Sequence, residues 1–83
     1  MRLAWTGDPG AGHELQYDVG AGAHRLQGGL TVGGTDKEFG PLSEAVWDVL
    51  PLYNPFRFRV RDARCRAEAC WSAWASFNVA TPR

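Results

Sequence analysis

The chain carries Phe56-Arg57-Phe58-Arg59-Val60-Arg61, followed ten residues later by Trp71-Ser72-Ala73-Trp74-Ala75. The first run alternates apolar and charged residues with period two, which predicts a strand with one face in a core and the other in water. The second run places two tryptophans three residues apart, and guanidinium groups stack on indole rings. The two runs therefore predict adjacent strands whose outer faces interleave in a surface ladder of Arg57, Arg59, Arg61, Trp71 and Trp74.

Short alternating runs separated by glycine and proline turns extend over the rest of the chain. Leu15, Tyr17 and Val19 alternate with polar residues, and the run ends at the Gly-Ala-Gly turn of residues 20–22. Strands of this length and spacing predict an all-β fold, an antiparallel sandwich of two sheets. The positions expected to point inward are Leu3, Trp5, Leu15, Tyr17, Trp47, Leu50, Phe56, Phe58, Val60, Phe77 and Val79.

Residues 42–49 allow two interpretations. Ala45, Trp47 and Val49 alternate with other residues, which favours a strand. A short helix over 42–49 is the alternative, and the flanking prolines leave little room for it.

Composition limits the classes of partner. The chain has 83 residues, enough for one domain spanning residues 1–83, and nine basic residues balance nine acidic ones. Without a net positive charge we expect no nucleic-acid partner. No apolar run reaches the roughly 18 residues of a membrane span, so we expect no membrane insertion, and the first residues do not resemble a secretory segment.

Several motifs resemble those of a fibronectin type III domain, and the match runs over most of the chain. Leu3-x-Trp5 resembles the second strand of that family, and His13-x-Leu15-x-Tyr17 resembles the third. Residues 47–56 are similar to the corner motif, with Phe56 at the position of its tyrosine. Residues 59–62 resemble the sixth strand, and Thr81-Pro82 resembles the usual end of the domain.

Trp71-Ser72-Ala73-Trp74-Ala75 is similar to the tryptophan–serine box of cytokine receptor domains, with Ala75 in place of the second serine. The resemblance implies an immunoglobulin-like sandwich whose first strand is short or missing, because Leu3-x-Trp5 follows Met1 so closely. A strand edge left uncovered in this way can pair with another chain. We therefore expect the chain to be either a fragment of a longer protein or a component that completes its sheet through a neighbour, by self-association at an exposed sheet edge. A monomer that tolerates a short edge is the alternative.

Cys65 and Cys70 enclose four residues in the predicted connection between the sixth and seventh strands. A disulfide across this hairpin is geometrically plausible, and two free thiols are the alternative in a reducing compartment. Two cysteines without a nearby CxxC or His pair do not predict a zinc site. The ladder likewise has two interpretations, a structural role in the sheet face or a platform for a glycan or protein.

Other chemistry-bearing residues are better explained by structure. His13 and His24 lie near Glu14 and Asp18, yet exposed strand histidines explain them better than a metal site does. Ser43, Ser72 and Ser76 have no elbow glycines and no histidine partner, so they predict no hydrolase triad. The Gly-Ala-Gly loops lack the phosphate-binding fingerprints. We therefore predict no catalytic, cofactor-binding or metal residues, no cofactor and no enzyme activity.

Two functional classes follow from the sequence. The resemblance implies a binding or spacer module of a modular extracellular bacterial protein, with a protein or glycan as partner and extracellular localisation within a longer secreted chain. The alternative is a structural or decoration protein of a phage particle, located in the tail or capsid of the virion.

Overall fold

The computed structural model describes residues 1–80 and is mostly β, with two antiparallel sheets and little helix. Its strands are β1 (Arg2–Ala4), β2 (Gly12–Val19), β3 (Leu26–Gly33), β4 (Asp36–Glu38), β5 (Phe56–Asp62) and β6 (Ala75–Phe77). The helical segments in this part of the chain are α1 (Glu44–Val49) and the 3₁₀ turns Gly22–His24, Leu50–Tyr53 and Glu68–Cys70. The prediction of a mostly β chain with two antiparallel sheets is confirmed. The predicted domain end at Thr81-Pro82 lies outside the described residues.

The larger sheet has four strands in the order β3-β2-β5-β6, and β1 and β4 form a separate pair. Strand β2 is central, because it pairs along its length with β3 and, from His13 to Val19, with β5. Side chains alternate between the faces of a strand. The odd-numbered residues of β2 and the even-numbered apolar residues of β5 therefore share the inner face.

The inner face supports a small core. The buried side chains are Ala11, His13, Leu15, Val19, Val32 and Phe56. Phe77 stacks on the rings of Phe56 and Phe58, with centroids 5.5 and 5.8 Å apart. Of the positions predicted to point inward, Leu15 and Phe56 are buried and the others are half-buried.

Two aromatic contacts connect the sheets. The rings of Trp5 and His13 meet edge to face at 5.8 Å, and those of Phe39 and Phe58 lie 6.4 Å apart. The prediction that His13 is an exposed strand histidine is wrong, because its side chain is only 4% exposed. His13 has the same parity in β2 as Leu15, so the alternation of the strand turns it inward under Trp5.

Residues 44–49 are helical, so the strand predicted through Ala45, Trp47 and Val49 is wrong. The Ser43 hydroxyl accepts a hydrogen bond from the Val46 N–H at 3.3 Å and caps the first turn of α1. A capping serine satisfies an amide that the helix itself leaves free. Trp47 is half-buried, as is Leu50, whose N–H bonds back to Val46.

Tyr17 of β2 lies over its cross-strand partner Gly28 in β3. A Cβ atom added to Gly28 would stand 2.4 Å from the Tyr17 hydroxyl oxygen, well inside contact distance. The ring therefore occupies the space that a side chain at residue 28 would need. A glycine inside a strand often marks such a close approach.

Candidate binding face on the four-stranded sheet

The outer face of the four-stranded sheet carries a row of polar cross-strand pairs. Its pairs are Glu14 with Arg61, Gln16 with Arg59 and Asp18 with Arg57. Two nitrogens of Arg61 donate to Glu14 Oε2 at 3.0 and 2.7 Å, and Arg59 Nε donates to Gln16 Oε1 at 2.5 Å. The side chains of Arg59 and Arg61 are thus each fixed by a partner on the neighbouring strand, which orients them for stacking.

Two of these arginines stack on the tryptophans, Arg59 on both and Arg61 on Trp71. The Arg61 guanidinium lies 4.3 Å from the ring centroid of Trp71, and that of Arg59 lies 4.6 Å from Trp71 and 4.7 Å from Trp74. We call the alternating set Arg61, Trp71, Arg59 and Trp74 the ladder. Trp71 is half-buried within it, whereas Trp74 is 43% exposed at its end.

Arg57 was predicted to belong to the ladder, and the structure places it elsewhere on the same face. Its guanidinium donates to Asp18 Oδ1 and to the Gly20 carbonyl, both at 3.1 Å. Among the described residues it has no indole within stacking distance. The bonds to Asp18 and Gly20 orient it toward the turn that follows β2.

Both tryptophans reach the same face because residues 71–74 are not a regular strand. A 3₁₀ turn ends at Cys70 and β6 begins only at Ala75, so alternation does not apply between Trp71 and Trp74. Ser72 holds this segment against β5. Its N–H donates to the Val60 carbonyl at 2.8 Å, and its hydroxyl accepts from the Val60 N–H at 3.0 Å.

A disulfide closes the connection that leads to the ladder. Cys65 and Cys70 are bonded, with Cα atoms 6.0 Å apart, and no free cysteine remains among the described residues. The bridge ends one residue before Trp71. It therefore ties the start of the tryptophan segment to the end of β5.

Ion pairs flank the ladder and lower the pKa of two carboxyl groups. Hydrogen bonds from Arg25, and then from Arg57, lower the pKa of Asp18 to about 2, against the effect of partial burial. At the other end of the sheet, hydrogen bonds from the Arg64 side chain and backbone hold the pKa of Asp62 well below its ordinary value. Both groups are ionised at neutral pH. Asp18 lies on the outer face opposite Arg57, whereas Asp62 pairs with His13 at the end of β5 and has the parity of the inner face.

A shallow groove of about 290 Å³ lies beside the ladder, over strands β2 and β3. Its polar walls are Glu14, Gln16 and Thr31, its floor is the bare backbone of Gly29, and Trp71 closes one side. We call this the outer groove. Within the described residues, Glu14 Oε1, Gln16 Nε2 and the Thr31 hydroxyl have no hydrogen-bond partner in the protein.

The outer groove was not predicted from the sequence. Two signals in the sequence point to it. Alternation along β2 places Glu14 and Gln16 on the same face as the arginines of β5, and Gly29, opposite Gln16, has no side chain to fill the space. The groove offers an acceptor, a donor and a hydroxyl next to an indole edge. Groups of this kind can form hydrogen bonds with a ligand that carries both donors and acceptors.

Known proteins give no direct guide to this site. The chain matches no family model and shows no significant similarity to a curated protein or a solved structure. Within residues 1–80 no group of histidine, cysteine and acidic side chains is arranged to hold a metal ion. The helices of this region are also too short to cross a bilayer.

Proposed function

We propose that the chain is a fibronectin type III-like domain, a non-catalytic binding or spacer module of a modular extracellular bacterial protein. The order of the strands supports this proposal. In the sequence resemblance β1, β2, β5 and β6 correspond to the second, third, sixth and seventh strands. Immunoglobulin-like sandwiches pair the second strand with the fifth, and the third with the sixth. Here β1 pairs with β4, and β2 pairs with β5.

The observation that carries the binding function is the outer groove beside Trp71. Its free donor, acceptor and hydroxyl match the hydroxyl groups of a sugar, each of which donates and accepts. The ladder holds the groove wall rigid, so little side-chain entropy is lost on binding. The ligand that fits this chemistry best is a neutral glycan.

The disulfide supports an extracellular location. Disulfides persist in oxidising environments and are rare where thiols are kept reduced. The bond between Cys65 and Cys70 is therefore compatible with a domain of a secreted protein.

Affinity electrophoresis in gels that contain soluble neutral polysaccharides tests the glycan proposal. We expect retardation of the parent and its loss in Thr31→Arg, because a long side chain at Thr31 fills the outer groove. The matched control is Gln27→Arg, on the same strand and face but outside the groove walls. Equal retardation of both variants, or no retardation of the parent by any polysaccharide, contradicts the proposal; in the second case a protein partner is the remaining ligand class.

A structural or decoration protein of a phage particle is the second candidate. The observation in its favour is the outer edge of β1, which pairs with no strand among residues 1–80, since subunits of an assembly often join through sheet edges. Sedimentation of the chain alone distinguishes the two. Assemblies larger than a dimer favour the particle, and a monomer or dimer that binds glycan favours the module.

A further inference from the structure

The two-stranded sheet of β1 and β4 is the least supported part of the described fold. It has three paired positions, Arg2 with Glu38, Leu3 with Lys37 and Ala4 with Asp36. Two-stranded sheets are marginal unless further strands or packing cover them. Among the described residues β1 has no strand on its other side.

The hydrogen bonds of this pair determine which backbone groups of β1 are free. The Trp5 N–H donates to the Thr35 carbonyl at 2.9 Å, and the Phe39 N–H donates to the Met1 carbonyl at 2.7 Å. Odd-numbered residues of β1 therefore direct their backbone groups toward β4. By alternation, the N–H and C=O groups of Arg2, Ala4 and Thr6 point away from β4, toward the open edge.

An apolar groove lies directly beneath this edge. It has a volume of about 330 Å³ and is open between the two sheets. Leu3 of β1 and Trp5, the residue after β1, line one side, and Phe58, Val60 and Phe77 line the other from β5 and β6. We call it the side groove. A strand added to the edge of β1 would cover it with alternate side chains.

We propose that the strand completing this edge is β1 of a second copy of the chain, related by a two-fold axis at Ala4. An interface of this kind must be complementary to itself. The axis pairs Ala4 with Ala4 of the other copy, and Arg2 with Thr6. This antiparallel register engages the free backbone groups of all three outward-facing residues, whereas a shift of two residues in either direction loses some of them.

Side chains support the same register. On the inner face it places Leu3 of each copy opposite Trp5 of the other, so two such pairs form and extend the lining of each side groove. Apolar cross-strand pairs of this kind stabilise sheets. On the outer face Arg2 meets the neutral Thr6, with Asp8 two residues beyond, so no like charges oppose each other. The charge of Arg2 is already balanced by its ion pair with Asp36.

Cross-linking tests the position of the axis. In a hydrogen-bonded antiparallel pair the two Cα atoms lie about 5.5 Å apart, a distance that a disulfide spans. We therefore expect Ala4→Cys to form a disulfide-linked dimer under mild oxidation. Arg2→Cys is the matched control, because in this register the two Arg2 positions are separated by four residues, about 13 Å, which is too far. Equal cross-linking of the two variants contradicts the axis.

Sedimentation equilibrium tests the interface without a cross-link. Ala4→Lys sets two like charges opposite each other and should raise the dimer dissociation constant about tenfold or more. Ala4 is exposed and its N–H points away from β4, so the variant should keep the far-UV spectrum of the parent. Gln27→Lys, on the exposed edge strand β3, should change the constant by less than about twofold. A parent that stays monomeric at millimolar concentration, or a dimer that weakens only with Gln27→Lys, overturns the proposal; neither result bears on glycan binding in the outer groove.

Discussion

Arg59 contacts both tryptophans of the ladder, whereas Arg61 contacts only Trp71 among the described residues. Arg59 is also bonded to Gln16 and forms an ion pair with Glu68 at 3.3 Å. Loss of its guanidinium therefore removes two stacking contacts and leaves Trp74 without a cation.

The substitution Arg59→Met keeps the aliphatic stem and removes the guanidinium. We expect the free energy of unfolding to fall by roughly 1–2 kcal/mol, because each exposed cation–π contact is worth about 0.5–1 kcal/mol. Urea denaturation measures the change. Arg66→Met is the control, since the Arg66 side chain is exposed and has no bonded partner among the described residues; a cost equal to that of the control contradicts a stabilising ladder.

Asp18 makes stability depend on pH below neutrality. Its pKa of about 2 lies below the ordinary value of 3.8, so the ionised carboxylate stabilises the folded state above about pH 4. This contribution is lost as the pH falls toward 2. NMR titration of the Asp18 carboxyl should give the low midpoint, and Arg25→Gln should raise it toward the ordinary value, because Arg25 supplies the largest hydrogen-bond effect. A midpoint that does not move in Arg25→Gln would show that Arg25 is not the cause.

The residues of the ladder were predictable because period-two alternation in residues 56–61 places three arginines on one face. The separation of Arg57 from the stack was not, since it depends on Asp18 and the Gly20 carbonyl, which come close only through the register of β2 and β5. The burial of His13 was within reach of the sequence. His13 lies two residues before Leu15 and four before Tyr17, so alternation along the strand predicts an inward side chain. Histidine is only sometimes buried, which favoured the exposed interpretation.

Strand β5 is longer than its partner β6. Ser72, which lies three residues before β6 begins, bonds to the part of β5 that β6 does not reach. The last paired positions are Phe58 and Ala75, and beyond them Ser72 satisfies both backbone groups of Val60. Its hydroxyl thereby accepts the hydrogen bond that the backbone carbonyl of a paired strand residue would otherwise accept. Ser72, between the two tryptophans, in this way continues the hydrogen bonding of the sheet.

Ser72→Ala should leave the Val60 N–H without its partner. We expect a loss of about 1–3 kcal/mol in unfolding free energy, the cost of an unsatisfied amide, reduced if water reaches it. Chemical denaturation gives the total, and faster hydrogen exchange at the Val60 amide would locate it. Ser76→Ala, on the exposed outer side of β6, should cost less than about 0.5 kcal/mol; if it matches Ser72→Ala, the hydrogen bond to Val60 is not the source of the loss.

Helix α1 shows how two periods compete in a short segment. The apolar residues 45, 47 and 49 follow the alternation of a strand. Helix α1 has only six residues, which are too few to show a helical 3.6-residue period distinct from that alternation. The local signal was Ser43, a preferred capping residue followed by an acidic residue in the first turn. Capping outweighed alternation because the segment has no neighbouring strand among the described residues to complete a ladder.

At the scale of the whole molecule the core is small, with six buried side chains among the described residues, so a covalent bridge contributes a sizeable share of stability. Replacing both Cys65 and Cys70 by serine should lower the unfolding free energy by about 2 kcal/mol, the chain-entropy value for so small a loop. Thermal unfolding with and without a reducing agent measures it. The reducing agent should destabilise the parent by the same amount and leave the double variant unchanged; an effect on the double variant would point to a cause other than the bridge.

Alternating runs and glycine turns predicted strands where β2, β3 and β5 lie. The order of the four strands was not predicted, and the strand predicted over residues 71–75 begins only at Ala75. The smaller sheet was harder to predict. Strand β4, Asp36–Glu38, is short and polar, and it has no alternation of apolar residues that would predict a strand. Only its long-range pairing with β1 makes it a strand, and pairing between such distant segments leaves no local pattern.

Because Tyr17 closely approaches Gly28, the combined volume of the side chains at these two positions is limited. In a saturation library, residue 28 should tolerate almost no side chain while Tyr17 is present, because even a methyl group would meet the phenol oxygen. Gly33, at the end of the same strand, has open space around its missing Cβ and should accept many replacements. Varied together, positions 17 and 28 should change in a compensating way, with larger residues at 28 surviving selection only beside smaller ones at 17. Homologues of this chain would then carry the contact as a covarying pair of columns.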